Sequence, residues 1–167
     1  MEDNYIHFKI DGRDLKINKD NPEYIFMWKT HYGSRKMKNP KWNQIKIQTN
    51  SEGYKLITIT PKKYLLHRVN YYAHNQSWDI HNSSINNHID HEDIDFLNNH
   101  IDNLRVVTNQ ENQWNRNCKG YYFHKRDKKW VARIQVKGKN KNLGRFNTEE
   151  EARQARLEAK KIYHKIE

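Results

Sequence analysis

The spacing of apolar residues changes several times along the chain, and each change predicts a new element. Residues 54–60 are rich in β-branched and apolar side chains and predict a strand, which Pro61 ends in a turn. In the next stretch, Leu66, Val69, Tyr72 and Ala73 recur at helical spacing and predict a short helix with one buried face. We expect His67 and Arg68 to fix this helix to the neighbouring sheet.

The first fifty residues have a weaker pattern. Residues 5–10 alternate like a short strand, residues 11–12 (Asp-Gly) predict a turn, and residues 24–28 predict either a buried strand or a short helix. Residues 33–42 predict a loop with four cations between aromatic residues, namely Arg35, Lys36, Lys38 and Lys41. This composition suits contact with phosphate groups, although a solvated basic loop has the same composition.

A strand, loop, strand, helix pattern follows. Residues 88–91 and 104–107 predict the two strands, and the polar loop between them holds a few apolar anchors. Thr108 followed by Glu111 predicts a capping box for a helix that begins near Asn109. The preceding connection, residues 75–88, contains His81 and His88, which imitate zinc ligands. No second spaced pair accompanies them, so we interpret them as polar loop residues.

The last fifty residues predict three short strands and a helix. The strands are residues 121–124, 129–136 and 141–146, with turns at 126–128 and 138–140. Thr148 followed by Glu151 is a second capping-box pattern and predicts a helix that runs to about Tyr163. Small residues along one stripe would let that helix lie close on a sheet: Ala152, Ala155 and Ala159, with Ile162 at the end.

Composition favours small cores and a polyanionic partner. Hydrophobic residues make up 35% of the chain and charged residues 31%, which leaves little for one large core. The net charge is +11, and it is uneven: residues 61–118 sum to −2, whereas residues 119–167 sum to +9. The acidic middle is what a cation site requires, and the basic tail is where anion binding concentrates.

Several classes of site and location are disfavoured. Cys118 is the only cysteine, so neither an intrachain disulfide nor a thiolate zinc site is expected, and a metal would need imidazole, carboxylate or carbonyl ligands. No apolar run approaches the ~18 residues of a membrane span, and no cleavable leader is visible. We therefore expect a soluble intracellular protein, in the cytoplasm of the host cell if a phage or virus encodes it.

The middle of the chain carries polar residues at characteristic positions. They are Leu66-His67-Arg68-Val69, Asp90-His91, Leu97-Asn98-Asn99, Asn103-Leu104-Arg105-Val106-Val107-Thr108 and Glu111-Asn112. This set resembles the HNH nucleases of the His-Me finger superfamily, above all the homing endonucleases of phage introns and free-standing phage genes. The resemblance covers about residues 50–117. Ile94-Asp95 replaces the glycine-asparagine turn that usually follows the Asp-His pair, and Asn87-His88 lies three residues too far from Asn98-Asn99 to be that pair.

The resemblance implies a role for four side chains. Asp90 and Asn112 resemble the metal ligands, His91 the general base, and Asn103 the residue that orients the loop carrying the histidine. An imidazole titrates at ~6.5, so it can accept a proton from water near neutral pH. One carboxylate and one amide oxygen suit Mg²⁺, and Mn²⁺ is expected to substitute. No structural zinc is expected.

The tail resembles a second family. Gly120-Tyr121, Trp130, Ala132, Ile134, Leu143-Gly144, Phe146, Thr148 and Glu151-Ala152 match the DNA-binding domain of plant ethylene-response factors, of APETALA type. A tyrosine stands where that family usually has valine after the glycine, the first turn lacks a glycine, and the helix lacks a usual tyrosine. If Ala132, Ile134 and Val136 point inward, the polar residues between them point outward.

This orientation predicts two sets of DNA contacts. The major groove would meet Tyr122, His124, Arg126, Arg133, Gln135 and Lys137. Phosphates would mainly meet Lys125, Lys139 and Lys141.

Together these patterns predict an α+β protein, with a ββα-metal nuclease core followed by a three-stranded antiparallel sheet packed on one helix. The expected divisions are a β-rich extension over residues 1–49 that could contact DNA, a nuclease domain over 50–117 and a DNA-binding domain over 118–167. We predict a monomeric, metal-dependent endonuclease that hydrolyses a phosphodiester bond in double-stranded DNA without a small-molecule cofactor. A non-catalytic DNA-binding regulator is the alternative. An RNA-binding protein is disfavoured, because a flat basic sheet suits a duplex groove better than splayed bases.

Overall fold

The structure is a computed structural model that describes residues 4–115 and 118–165. Within these ranges the fold is mixed α+β, mostly strands in four small antiparallel sheets, with three α-helices. The chain divides into two compact units, of which the first ends at Thr108 and the second begins at Asn109. No helix among the described residues is long and apolar enough to cross a membrane.

A four-stranded meander opens the first unit. Its strands are β1 (Tyr5–Ile10), β2 (Arg13–Asn18), β3 (Ile25–Tyr32) and β4 (Arg35–Gln44), paired in sequence order. The two residues between β1 and β2, Asp11 and Gly12, both have positive φ, 48° and 73°, as a tight hairpin turn requires. Because β3 begins at Ile25, the strand alternative for residues 24–28 is confirmed, although only Ile25 in this stretch is buried.

The prediction of a loop at residues 33–42 was wrong. Only Gly33 and Ser34 form a turn, and β4 begins at Arg35. This strand pairs with β3, with Trp42 opposite Trp28. Most of its side chains are exposed or half-buried, so β4 lacks the apolar alternation by which a strand is recognised in a sequence.

The rest of the first unit contains two small sheets and a helix. Strands β5 (Gln48–Thr49), β6 (Lys55–Ile59) and β7 (Lys62–Leu65) form one sheet, and helix α1 (Leu66–His74) follows directly. Strands β8 (His88–His91) and β9 (Leu104–Val107) pair antiparallel, and a short 3₁₀ helix (Ile101–Asn103) precedes β9. These bounds confirm the predicted strands at 88–91 and 104–107 and the predicted helix after residue 65.

The core of this unit lies between the meander, the second sheet and α1. Its fully buried side chains come from all three parts: Leu15, Ile17, Ile25, Ile57, Ile59, Leu66 and Val69. Burying each such aliphatic side chain stabilises the fold by ~1.5–3 kcal/mol relative to exposure. The helical spacing of Leu66, Val69 and Ala73 therefore places one face of α1 in the core. A neighbouring face of the helix contacts β8.

The second unit begins with helix α2 (Asn109–Trp114). Strands β10 (Tyr121–His124), β11 (Lys129–Val136) and β12 (Lys139–Phe146) then form a meander, and helix α3 (Glu149–Tyr163) packs on it. The predicted capping box is present, because Thr148 Oγ1 accepts a hydrogen bond from Glu151 N and the Glu151 carboxylate accepts one from Thr148 N, both at 3.2 Å.

The predicted stripe on α3 was wrong at its last position. Ala152 and Ala159 are buried, but Ile162 is 63% exposed. Three turns of an α-helix take about eleven residues, so Tyr163 rather than Ile162 lies on the same side as Ala152. The buried position between the alanines is occupied by Arg156.

Candidate active site and nucleic-acid interface

The Asp90-His91 pair lies at the end of β8, where strand pairing sets the surroundings of both side chains. Asp90 is buried and lies opposite Arg105 on β9. Arg105 donates two hydrogen bonds to Asp90 Oδ2, from Nε at 3.2 Å and from Nη2 at 3.0 Å. Arg105 had no predicted role at the site, although the predicted pairing of the two strands was a signal that could have found it.

His91 is buried beside the carboxamide of Asn99. Its Nε2 lies 3.1 Å from Asn99 Oδ1, so a neutral ring that donates there carries its lone pair on Nδ1. Asn99 is itself fixed, because Asn70 Nδ2 on α1 donates to the Asn99 carbonyl at 2.8 Å. Asn99 was part of the recognised pattern without an assigned role, and nothing in the local sequence pointed to Asn70.

His67 packs against His91. The two ring centroids are 5.0 Å apart, and the Tyr54 ring lies 5.8 Å away from His67. Burial above all, together with the nearby His91 and Arg68, lowers the pKa of His67 to about 3. His67 is therefore neutral at physiological pH and supports His91 from α1.

Asn103 closes the loop between β8 and β9. Its Oδ1 accepts from Asp93 N at 3.0 Å, and its Nδ2 donates to Asp93 Oδ1 at 2.9 Å and to the Asn98 carbonyl at 2.8 Å. The Asn103 carbonyl also accepts from Glu92 N at 2.9 Å. The Asn98 carboxamide, together with Asn103 and the Asp95 amide, holds the pKa of Asp93 below its usual range.

Ile94 has a backbone conformation that normally favours glycine. Its φ is 68°, a left-handed conformation that glycine adopts freely and that is strained for a β-branched residue. Ile94 stands within the segment where the resembled family has its glycine-asparagine turn. The loop therefore keeps a left-handed residue here with a side chain poorly suited to it.

The other candidates in this unit have structural contacts. Arg68 donates to the backbone carbonyls of Ile80, Asn82 and Asn87 at 2.9–3.2 Å and so orders the connection before β8. Asn87 donates to the carbonyls of Asp79 and Asn82. His81 Nε2 lies 3.5 Å from an Asp11 carboxylate oxygen. Across residues 4–115 and 118–165 no three His, Cys, Asp or Glu side chains converge as a metal-binding group.

The predicted metal ligands fall in different units of the chain. Asp90, with His91 and Asn103, belongs to the first unit. Asn112 is half-buried on α2, which belongs to the second.

The sheet of the second unit has one face under α3 and one exposed face. Ala132 and Ile134 are buried on the helix side, whereas Arg133 and Gln135 are exposed, which confirms the predicted alternation along β11. The Arg133 guanidinium lies over the Tyr122 ring, 5.1 Å from its centroid. These side chains together form an exposed cationic and aromatic surface.

The remaining predicted contact residues are distributed around this sheet. Lys137 lies in the two-residue turn after β11, with φ 48°, and Lys139 begins β12. Lys125 and Arg126 are exposed in the first turn, and His124 lies 3.4 Å from the Asp127 carboxylate.

Two cations of β12 differ from expectation. Lys141 pairs with Ile134, and its ammonium lies over the Tyr163 ring of α3 at 4.4 Å, so it lies on the helix side. Arg145, which sequence reasoning missed, lies opposite Val131 and forms an ion pair with Asp127.

Comparison with known protein-family models, curated protein sequences and solved structures gives no match. The two family resemblances therefore stay predictions.

Proposed function

We propose that the protein is a metal-dependent DNA endonuclease whose finger over residues 50–117 forms a ββα-metal core. The observation that carries this proposal is the arrangement around His91: a buried imidazole at a strand end, bonded to Asn99 and followed by a loop that Asn103 closes. A general base needs a fixed ring and a defined tautomer, and these contacts supply both. His91 would take the proton of the attacking water at Nδ1.

The donor chemistry fits a hard divalent cation. Asp90 supplies a buried carboxylate whose Oδ2 accepts two hydrogen bonds from Arg105. Asn112 would add an amide oxygen. Oxygen ligands of this kind suit Mg²⁺, with Mn²⁺ as a substitute, and not zinc. When bound, the metal would supply Lewis-acid stabilisation of the scissile phosphate and the leaving 3′ oxygen.

The second unit would hold the duplex. Its exposed face offers Arg133 and Gln135, which can read guanine and adenine edges in a major groove. Tyr122 stacks under Arg133 and limits the freedom of the guanidinium. Lys125 in the first turn and Lys139 at the start of β12 would meet phosphates. The strong positive charge of residues 119–167 supports this division of labour.

A supercoiled-plasmid assay tests the proposal. Mg²⁺ should convert the plasmid to nicked or linear product, and a chelator should stop the conversion. Asp90→Ala and Asn112→Ala should abolish cleavage but leave duplex binding nearly intact, and His91→Ala should slow cleavage by ~100-fold or more. A wild-type rate in Asp90→Ala or His91→Ala would reject the role given to that residue. Asn82→Ala, in the preceding connection, is the matched control.

A non-catalytic DNA-binding regulator is the second candidate, and the Asp90–Arg105 ion pair favours it. A buried carboxylate neutralised by a guanidinium needs no cation. Arg105→Gln separates the two functions. If Asp90 is a metal ligand, this variant should gain thermal stability with millimolar Mg²⁺ and lose that gain when Asp90→Asn is added. A regulator should show no Mg²⁺ effect in either variant.

A further inference from the structure

The solvent side of the first meander is lined with aromatic rings. Phe8, Leu15 and Ile17 point into the core, so their neighbours in the strands point to the opposite face. Strand register extends that face across β3 and β4. Its members, here called the aromatic face, are Tyr5, His7, Lys16, Phe26, Trp28 and Trp42.

The aromatic face is concave. His7 lies on β1 and Trp42 on β4, which in a flat sheet would stand ~14 Å apart at the usual strand spacing. Their ring centroids are nevertheless 5.5 Å apart, so the two side chains lean towards each other and the sheet curls around this face. Trp28 packs on Trp42 with centroids 5.3 Å apart and is 36% exposed.

Room for a ligand lies beside the two tryptophans. An open groove of about 680 Å³ runs along Trp28 and Trp42, and its polar lining includes His7, Lys9 and Asp14. Pockets for small organic groups span ~300–1,000 Å³. The groove is therefore large enough for a planar ring to lie against an indole.

Cations outnumber acids around this face: Asp14 also lies at the groove, where it forms an ion pair with Lys9 at 3.1 Å. Residues 24–51, which include β3 and β4, contain six lysines and arginines and no aspartate or glutamate. An anionic ligand is therefore favoured. A cationic ligand is disfavoured, because the Lys16 ammonium already lies over the rings where such a ligand would bind. It is 4.4 Å from the Tyr5 ring centroid and 5.1 Å from that of Trp42.

We infer that the aromatic face binds unpaired nucleobases of single-stranded DNA. Stacking aromatic rings within a cationic surface are the chemistry by which single strands are held, because every base exposes a π-face when it is unpaired and hides it in a duplex. Trp28 stacks with a base, and the positive charge of residues 24–51 attracts the phosphates of the strand. This site is separate from Asp90 and His91 and needs no metal.

The test compares strands that differ only in their bases. Fluorescence anisotropy with the full chain and a chelator measures binding of a labelled 12-nucleotide oligothymidylate, an abasic strand of equal length and a matched duplex. The affinity for oligothymidylate should exceed that for the abasic strand by ~10-fold or more. Trp28→Leu should remove most of this preference and Trp28→Phe should retain it. Tyr24→Ala, an exposed aromatic outside the face, is the matched control.

Equal affinities for the thymidylate and abasic strands would overturn the inference and leave only phosphate attraction. So would an unchanged preference in Trp28→Leu, or a preference lost equally in Trp28→Phe. Base discrimination that depends on Trp28 would stand even if the plasmid assay showed no cleavage, so failure of the nuclease proposal is distinguishable from failure of this one.

Discussion

The imidazole rings of His67 and His91 meet edge to face, with centroids 5.0 Å apart and planes at 85°. One ring comes from a helix and the other from a strand end, and both are buried. His67 is neutral and packs directly against His91. Protonation of His67 would therefore place a positive charge next to the candidate general base.

The first prediction concerns acid stability. The folded-state pKa of His67 is lowered to about 3, so the unfolded chain binds the proton more readily. The stability contributed by neutral His67 is present above pH ~6.5 and is lost as the pH falls towards 3, at up to ~1.4 kcal/mol per pH unit. Urea unfolding at pH 7 and pH 5 should show a smaller loss for His67→Phe than for the wild type. His31→Phe, at an exposed position, should lose as much as the wild type, and an equal loss in His67→Phe would contradict the prediction.

The second prediction concerns the strained loop residue. Ile94→Gly should raise the free energy of unfolding by ~0.5–1 kcal/mol, because relief of the left-handed strain exceeds the entropy cost of glycine. Ile85 is also exposed but does not have a positive φ, so Ile85→Gly should be neutral or destabilising. Thermal unfolding measures both. A destabilised Ile94→Gly would mean that contacts of the side chain outweigh the strain.

The third prediction concerns the orientation of His91. Asn99→Ala removes the acceptor at His91 Nε2, so the ring loses its fixed tautomer and cleavage should slow by ~10–100-fold with little change in duplex affinity. Asn99→Asp keeps an acceptor, favours the protonated ring and should move the acid limb of the pH–rate profile upwards. A profile identical to that of the wild type in Asn99→Asp would leave Asn99 a purely structural role.

The fourth prediction separates the two faces of the second sheet. Arg133→Ala should weaken duplex binding and either reduce the salt dependence or relax one base preference by ~1–3 kcal/mol. Lys141→Ala removes an equal charge from the helix side, against Tyr163, and should change duplex affinity much less. Titrations at several salt concentrations measure both. Equal losses would mean that net charge, and not the exposed face, determines binding.

Local patterns in the sequence determined most of the elements. The capping box at Thr148, the alternation along β11 and the helical spacing from Leu66 each depend on neighbours within a few residues, and each was predicted correctly. The Asp90-His91 pair could also be located, because its strand and loop follow one another along the chain.

Only the tertiary structure decided which side chains surround that pair. The contact of Asn70 with Asn99 joins residues 29 positions apart, and the contact of His67 with His91 likewise joins α1 to the distant end of β8. Strand β4 and the curl of the first sheet could not be predicted from the sequence, for a related reason. Strand β4 forms because it pairs with β3, and its side chains are largely exposed to solvent. A strand of this kind needs no alternation of apolar residues, so its sequence carries no strand pattern.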